Sequence, residues 1–297
     1  MTTAIRTVLG DLSPALAGVV DSHDHLFLST PALSGEELDG DDAATSELAA
    51  FGEAGGGTVV QWTPRGLKRG LPALRDLSGA SGIHIVAATG RHRRPLYGSQ
   101  SSEPNCTEAE LVDAFVSDVV DNACGLIKIG VSYETVTVDE ADALRAAATA
   151  HHTTGVPIAI HLEQGSAAEF VLDILFAESV PPQSIVLGHL GRNPNVHRIM
   201  DAAQSGTWLC LDSPSPRHPG GTDDLAHILA LLIDNGHMSQ LLLGADTTTA
   251  SSRSEPVGFG PAGLLVTQLP RLRDLLGAEA VTQMTIDNPA RAWSMSR

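Results

Sequence analysis

Apolar residues in this chain fall into short, nearly unbroken runs that recur at a regular interval, separated by amphipathic stretches. Strand-like runs are read at Gly18–Ser22, Thr58–Trp62, His84–Ala88, Gly125–Val131, Pro157–His161, Ser184–Gly188, Thr207–Leu211 and Gln240–Gly244. Continuous apolar strands suit a sheet covered on both faces, whereas a half-exposed sheet would show alternation. Between them, Thr137–His151 is rich in Ala and Leu and carries its acidic residues early, as a helix N-terminus prefers. Ser166–Ala177 and Asp223–Asn235 show helical apolar spacing. The Gly55–Gly57 triplet predicts a helix-to-strand turn, and Pro289 stands where the first turn of a helix accepts proline. From His25 to Asp246 the spacing averages about 32 residues per repeat, which suits βα units of roughly 30 residues. Eight such units predict an α/β fold, a (β/α)₈ TIM barrel, with residues 1–297 as one domain. Residues 1–17 precede the first strand and are expected to form a short N-terminal hairpin or lid over the barrel's base.

Composition narrows the function classes. The chain has 297 residues, 42% of them hydrophobic, so a large core is expected rather than disorder. Its net charge of −17 disfavours nucleic acid or an anionic membrane as partner. No apolar stretch approaches the roughly 20 residues that cross a bilayer, and the start of the chain does not read as a secretory signal. Cys106, Cys124 and Cys210 are odd in number and scattered, which fits a reducing cytoplasm rather than a disulfide framework. A homodimer is possible, with Phe51, Trp62 or Trp293 as candidates for its contact.

The chemistry concentrates where the strands end. His23 and His25 lie one residue apart in Val19-Val-Asp-Ser-His-Asp-His25, so on a strand both imidazoles face one side. Lys128, His161, His189 and Asp246 each close a later apolar run. In barrels of this kind the active site lies at the C-terminal face of the strands. A lone histidine there is usually a hydrogen-bonding group and a lone Asp a helix cap. The ordered set HxH, Lys, His, His, Asp on strands one, four, five, six and eight is far more specific. These N/O donors suit zinc first, with cobalt, manganese or nickel as alternatives, and suit calcium or magnesium poorly. A buried ammonium would repel nearby cations. A neutral lysine can instead take up CO2 as a carbamate, an anion with two oxygens that bridges two divalent ions. Two such ions against carbamate, Asp246 and a bridging hydroxide leave a surplus of one positive charge, suited to an anionic transition state.

This set resembles the phosphotriesterase family of the amidohydrolase superfamily, and the likeness runs from Arg6-Thr-Val-Leu-Gly10 to Asp287-Asn-Pro-Ala-Arg291. The resemblance implies a distorted barrel with a binuclear centre. His23, His25 and Asp246 would hold the more buried ion, His161 and His189 the more exposed one, and carbamylated Lys128 would bridge them. Asp24 stands where the family usually has Glu, at a position that is not a ligand. The implied mechanism is attack of a metal-bridging hydroxide on a carbonyl or phosphoryl group, with Asp246 moving the proton and Asp212 passing it outward. Half of the 18 Lys and Arg fall in segments following strands on the active face: Arg65, Lys68, Arg69, Arg91, Arg93, Arg94, Arg192, Arg217 and Arg253. Of these, Arg65, Arg91, Arg192, Arg217 and Arg253 are the candidate contacts to substrate. A cationic rim on an acidic protein favours a small anionic molecule. Gly188-His-Leu-Gly-Arg-Asn-Pro194 is more similar to the sugar-lactonase branch than to the pesticide-hydrolysing branch. Thr247-Thr-Thr-Ala-Ser-Ser-Arg253 replaces the paired arginines expected of members that bind phosphorylated lactones. The leading expectation is a lactonase for a small sugar or carboxylated lactone. The alternatives are a phosphotriesterase or carboxylesterase of the same family, or a mononuclear deaminase, whose acid His161-Leu-Glu163 resembles.

Overall fold

A computed structural model describes residues 3–193, 195–214, 221–253 and 259–296. The chain opens with a hairpin, β1 (Thr3–Thr7) and β2 (Gly10–Leu12). Eight parallel strands then pair in chain order: β3 (Val19–Asp24), β4 (Gly56–Gln61), β5 (His84–Arg91), β6 (Leu126–Val131), β7 (Ile158–Leu162), β8 (Ile185–Gly188), β9 (Trp208–Asp212) and β10 (Leu241–Gly244). Each contains or overlaps one of the eight apolar runs. Helices α1 (Asp41–Glu53), α2 (Leu71–Ser81), α3 (Glu108–Asn122), α4 (Val138–Thr154), α5 (Ala168–Ala177), α6 (Val196–Gln204) and α7 (Thr222–Asp234) alternate with them. This is the expected (β/α)₈ barrel. Capping boxes start two of the helices: Thr107 with Glu110 for α3, and Thr137 with Glu140 for α4.

The barrel is distorted at its closure. Regular ladders run from β3 through to β10, but the last strand meets the first by individual bonds instead. Asp246 N–H donates to the His23 carbonyl at 2.8 Å. Ala245 N–H donates to Asp21 Oδ1 at 3.1 Å, and Thr247 N–H to Asp24 Oδ1 at 2.7 Å. Two buried aspartates of β3 thus hold the backbone that follows β10. Gly244 allows this approach: a Cβ there would lie 2.6 Å from the His23 Cβ and 2.8 Å from its backbone N and O.

Inside the barrel, Val20, Val60, Trp62, Val86, Leu126, Val186 and Leu242 form one apolar cluster with Trp293. Phe51, Trp62 and Trp293 are therefore core residues, fully or almost fully buried, and none can serve a dimer contact. Their large apolar surfaces fill the barrel and its helical coat. The Trp62 indole N–H donates to the Ser22 carbonyl at 2.8 Å, and its ring stacks on His23 with centroids 3.8 Å apart.

Two features lay beyond the sequence pattern. The C-terminal strand β11 (Ser294–Ser296) pairs antiparallel with β1, extending the hairpin to a three-stranded sheet. Val8 of the hairpin donates to Ile85 near the start of β5, which places this sheet at the barrel's base. Pro289, expected in a first helical turn, lies inside a longer helical run that begins at Ala278. A π-helical segment, Gln283–Asp287, precedes it, and Leu264–Gln268 likewise precedes Pro270. Proline lacks an N–H and its ring crowds the carbonyl one turn back, and the wider π turn relieves both problems. Among the described residues no helix is long and apolar enough to cross a membrane.

Candidate metal centre

His23 lies near the end of β3 and His25 just past it, Lys128 lies within β6, His161 near the end of β7, His189 directly follows β8, and Asp246 comes two residues after β10. Both His189 and Asp246 adopt left-handed backbone, at φ 67° and 51°. For residues other than glycine that is strained, and it turns each side chain back over the barrel mouth. Glycine makes room beside them. A Cβ on Gly90, paired with Lys128 across the sheet, would sit 2.0 Å from the Lys128 carbonyl oxygen.

The hydrogen bonds fix which imidazole nitrogens are bare. Asp212 accepts from His23 Nδ1 at 2.8 Å and from His189 Nδ1 at 2.5 Å. Thr63 Oγ1 donates to the Phe27 carbonyl, so at 2.7 Å it accepts from His25 Nδ1. Glu163 Oε2 accepts from His161 Nε2 at 2.9 Å. In each neutral ring the remaining nitrogen then carries a lone pair and no proton. Those lone pairs converge. His161 Nδ1 faces His189 Nε2 at 2.8 Å. His23 Nε2 and His25 Nε2 lie 3.3 and 3.4 Å from Asp246 Oδ1. The ligand atoms of His23, His25 and Asp246 all lie within 4.8 Å of one another. The triad His23, His189 and Asp212 is equally compact, but Asp212 there takes the protonated nitrogens and so supports ligands rather than being one.

Burial keeps His25, His161 and His189 neutral. Burial, outweighing attraction by Asp246, lowers His25 to about 4. Burial, aided by Arg192, lowers His189 to about 4. Burial and then His189 push His161 well below the usual range. Bare nitrogens and a carboxylate oxygen crowded together without protons repel one another unless a cation sits among them, so the donor set fits divalent ions. Lys128 fits as well. Burial lowers its amine to about 7, despite Asp246, so a large neutral fraction is available to react with CO2. Burial would raise Asp246, but His23, Arg192 and His189 hold it well below the ordinary carboxylate range. The same opposition, with His189 and His23 foremost, keeps Asp212 low.

These side chains line the floor of a cavity of about 250 Å³ with His25, Lys128, His161, His189 and Asp246 among its walls. Leu28, Leu33, Leu67 and Leu96 form an apolar side, and Arg93, Glu163, Gln164, Arg192 and Thr248 a polar one. The volume suits a small molecule, below the range of roughly 300–1,000 Å³ typical of drug-sized ligands.

The five candidate substrate arginines part company. Arg192 lines the cavity, where it pairs with Asp246 and lies 3.4 Å from Asp212. Arg65 is turned to Glu103 and Asp118, away from the cavity. Arg91 is buried against the Asp139 carbonyl. Arg253 is buried and donates to the Leu26 carbonyl. Arg217 lies outside the described residues. Carboxylates and carbonyls from neighbouring elements, Asp118 of α3 and Asp139 of α4 among them, claim these guanidinium groups. Arg93, one of the nine rim cations, does line the cavity, as does Glu163. Asp212 lies behind the imidazoles, one oxygen engaged by His23 and the other by His189. Thr63 and Glu163 were not read as imidazole partners from sequence, although Glu163, two residues past His161, had a signal in its spacing.

The family model described as Phosphotriesterase family matches residues 3–293. The chain is 26% identical to a phospho-furanose lactonase of Mycoplasmopsis synoviae, over 96% of this chain and 90% of that protein. It is also 26% identical to an N-acetyltaurine hydrolase of Danio rerio, over 97% of each. Among solved structures, a lactonase from Listeria monocytogenes superposes with a TM-score of 0.91 at 25% identity, covering 99% of this chain and 100% of that one.

Proposed function

The chain belongs to the phosphotriesterase family, and from that premise we propose that it is a binuclear-metal lactonase opening a small lactone that carries an anionic group. One observation carries the reading: His25, His161 and His189 line one small cavity with Asp246 and Lys128, their free nitrogens converging there, and His23 Nε2 lies behind them, 3.3 Å from Asp246. His23, His25 and Asp246 would hold one ion, His161 and His189 the other, and Lys128, as its carbamate, would bridge them. Zinc suits the nitrogen-rich donors first; cobalt, manganese or nickel suit them too. When bound, the pair of ions lowers the pKa of water to near 7 and polarises the substrate carbonyl. Asp246 takes or gives the proton at its Oδ atoms. Asp212, Thr63 and Glu163 hold the imidazoles in orientation. The leucine wall accepts the ring's apolar edge and excludes water. Relatives named as lactonases support the ring-opening reading. A cavity of this size, with few aromatic residues near it, does not favour a bulky aryl phosphotriester. The relative that hydrolyses N-acetyltaurine makes amide hydrolysis the second reading. Free Cys106, Cys124 and Cys210 are consistent with a cytoplasmic setting, and one domain over 1–297 is consistent with β1 and β11 pairing in one small sheet at the barrel's base.

The test is a panel: zinc-loaded protein against sugar lactones, carboxylated lactones, N-acyl taurines and neutral aryl phosphotriesters. Fastest opening of an anionic lactone is expected. No turnover of any lactone by protein holding two metal equivalents would remove the proposal.

A further inference from the structure

Three supporting groups hold the imidazoles, and one of them differs from the rest. Glu163 lines the cavity, whereas Asp212 and Thr63 do not. Its Oε2 serves two partners, His161 Nε2 at 2.9 Å and Arg93 Nη2 at 2.5 Å. Arg93 also lines the cavity, and its Nε is buried without a hydrogen-bond partner among the described residues. A guanidinium N–H left without an acceptor is costly, and such groups in native proteins meet ligand or water. The other cavity arginine is tied to the metal centre, because Arg192 Nη2 is held by Asp246 and Asp212, whereas the carboxylate on Arg93 is not among the expected ligands. Arg94, next in the chain, turns outward to Asp139. Arg93 is thus the cavity cation with a donor to offer, and Glu163 already occupies part of its fork as an internal anion.

We propose that Arg93 is the specificity-determining residue of this cavity, receiving the carboxylate or phosphate group of the substrate in exchange for Glu163. This deepens the lactonase reading and rests on it for the identity of the reacting ring. An incoming anion would take Arg93 in the bidentate manner that suits guanidinium. Glu163 would keep its bond to His161, so the imidazole stays oriented while the cation changes partner.

The experiment compares the γ-lactone of 2-hydroxyglutarate with its neutral primary carboxamide, using zinc-loaded full-length protein. The readout is the ratio of kcat/KM for the carboxylate over the carboxamide. Arg93→Met should lower that ratio by about ten- to a hundredfold, chiefly through KM, as loss of a charge-assisted contact predicts. Arg93→Lys should recover part of it. Glu163→Gln, which retains an oxygen for His161 but removes the competing charge, should raise it. An unchanged ratio in Arg93→Met, or a fall in Glu163→Gln, overturns the proposal. A calorimetric titration with 2-hydroxyglutarate, the ring-opened product, separates the two readings. If wild type opens neither lactone, the lactonase assignment fails. Weaker binding by Arg93→Met would then still support the anion site, while no binding to wild type, or equal binding, would overturn it.

Discussion

Replacing Asp212 by asparagine probes the metal centre without touching a ligand. In the wild type each carboxylate oxygen accepts one Nδ1–H, from His23 and from His189, and the group is only 2% exposed. Asparagine has the same shape but one acceptor. Its amide nitrogen must face one of the two imidazole N–H groups, and water cannot enter to mediate. Either that ring adopts the opposite tautomer, which puts a proton on its metal-facing Nε2, or a buried donor goes unmet. The cost of an unmet buried donor is about 1–3 kcal/mol. At 1.4 kcal/mol per factor of ten, metal affinity should fall about 5- to 150-fold. That range agrees with the roughly 10–100-fold losses found when partners behind metal-binding histidines are removed. The assay is zinc binding in competition with a chromogenic chelator, with a melting curve in excess EDTA to check that the variant folds. A folded variant with an unchanged zinc Kd would refute the tautomer argument.

Lys128→Ala removes the bridging anion, so bound metal should drop below two equivalents by elemental analysis and lactone turnover should collapse; full metal content and wild-type rate would contradict the carbamate. Gly244→Ala places a methyl 2.6 Å from the His23 Cβ and against His23 backbone, which cannot swing aside. A loss of about 1–3 kcal/mol is expected by denaturant unfolding, and no loss would mean the closure is looser than described. Asp118→Asn tests acid stability away from the metals. Burial raises its carboxyl, but Arg69, Thr89 and Arg65 bring it below its ordinary value. A carboxyl depressed in the folded state stabilises above the unfolded pKa, and that stability is lost as pH falls through the folded value. The variant should melt lower at neutral pH and show a flatter fall below about pH 4; parallel melting profiles would contradict this.

The barrel was legible because strands covered on both sides leave little choice of residue, so each one stands out as an apolar run. The site was legible because barrel strands deliver their last residues to one rim, so chemistry-bearing residues there share a location before any coordinates exist. The fates of the arginines were not. A position after a strand fixes where a side chain begins, whereas the oxygen that captures it, a carboxylate or a backbone carbonyl, comes from a helix elsewhere in the chain. Arg65 shares Asp118 with Arg69, and Arg91 meets Asp139. These pairings join residues 48 to 53 positions apart and follow no period. The pairing of β1 with β11 was hidden for the same reason, being a contact between the two ends of the chain.

The seam between β3 and β10 ties chemistry to architecture. Every other strand junction is zipped by a ladder, but this one depends on stitches beside His23 and Asp246, which would also share an ion. Metal uptake would then act as the clasp of a hoop. Stripping the ions should loosen amides at Ala245 to Thr247 before the rest of the sheet, and a chelated protein would fail mechanically where it fails catalytically.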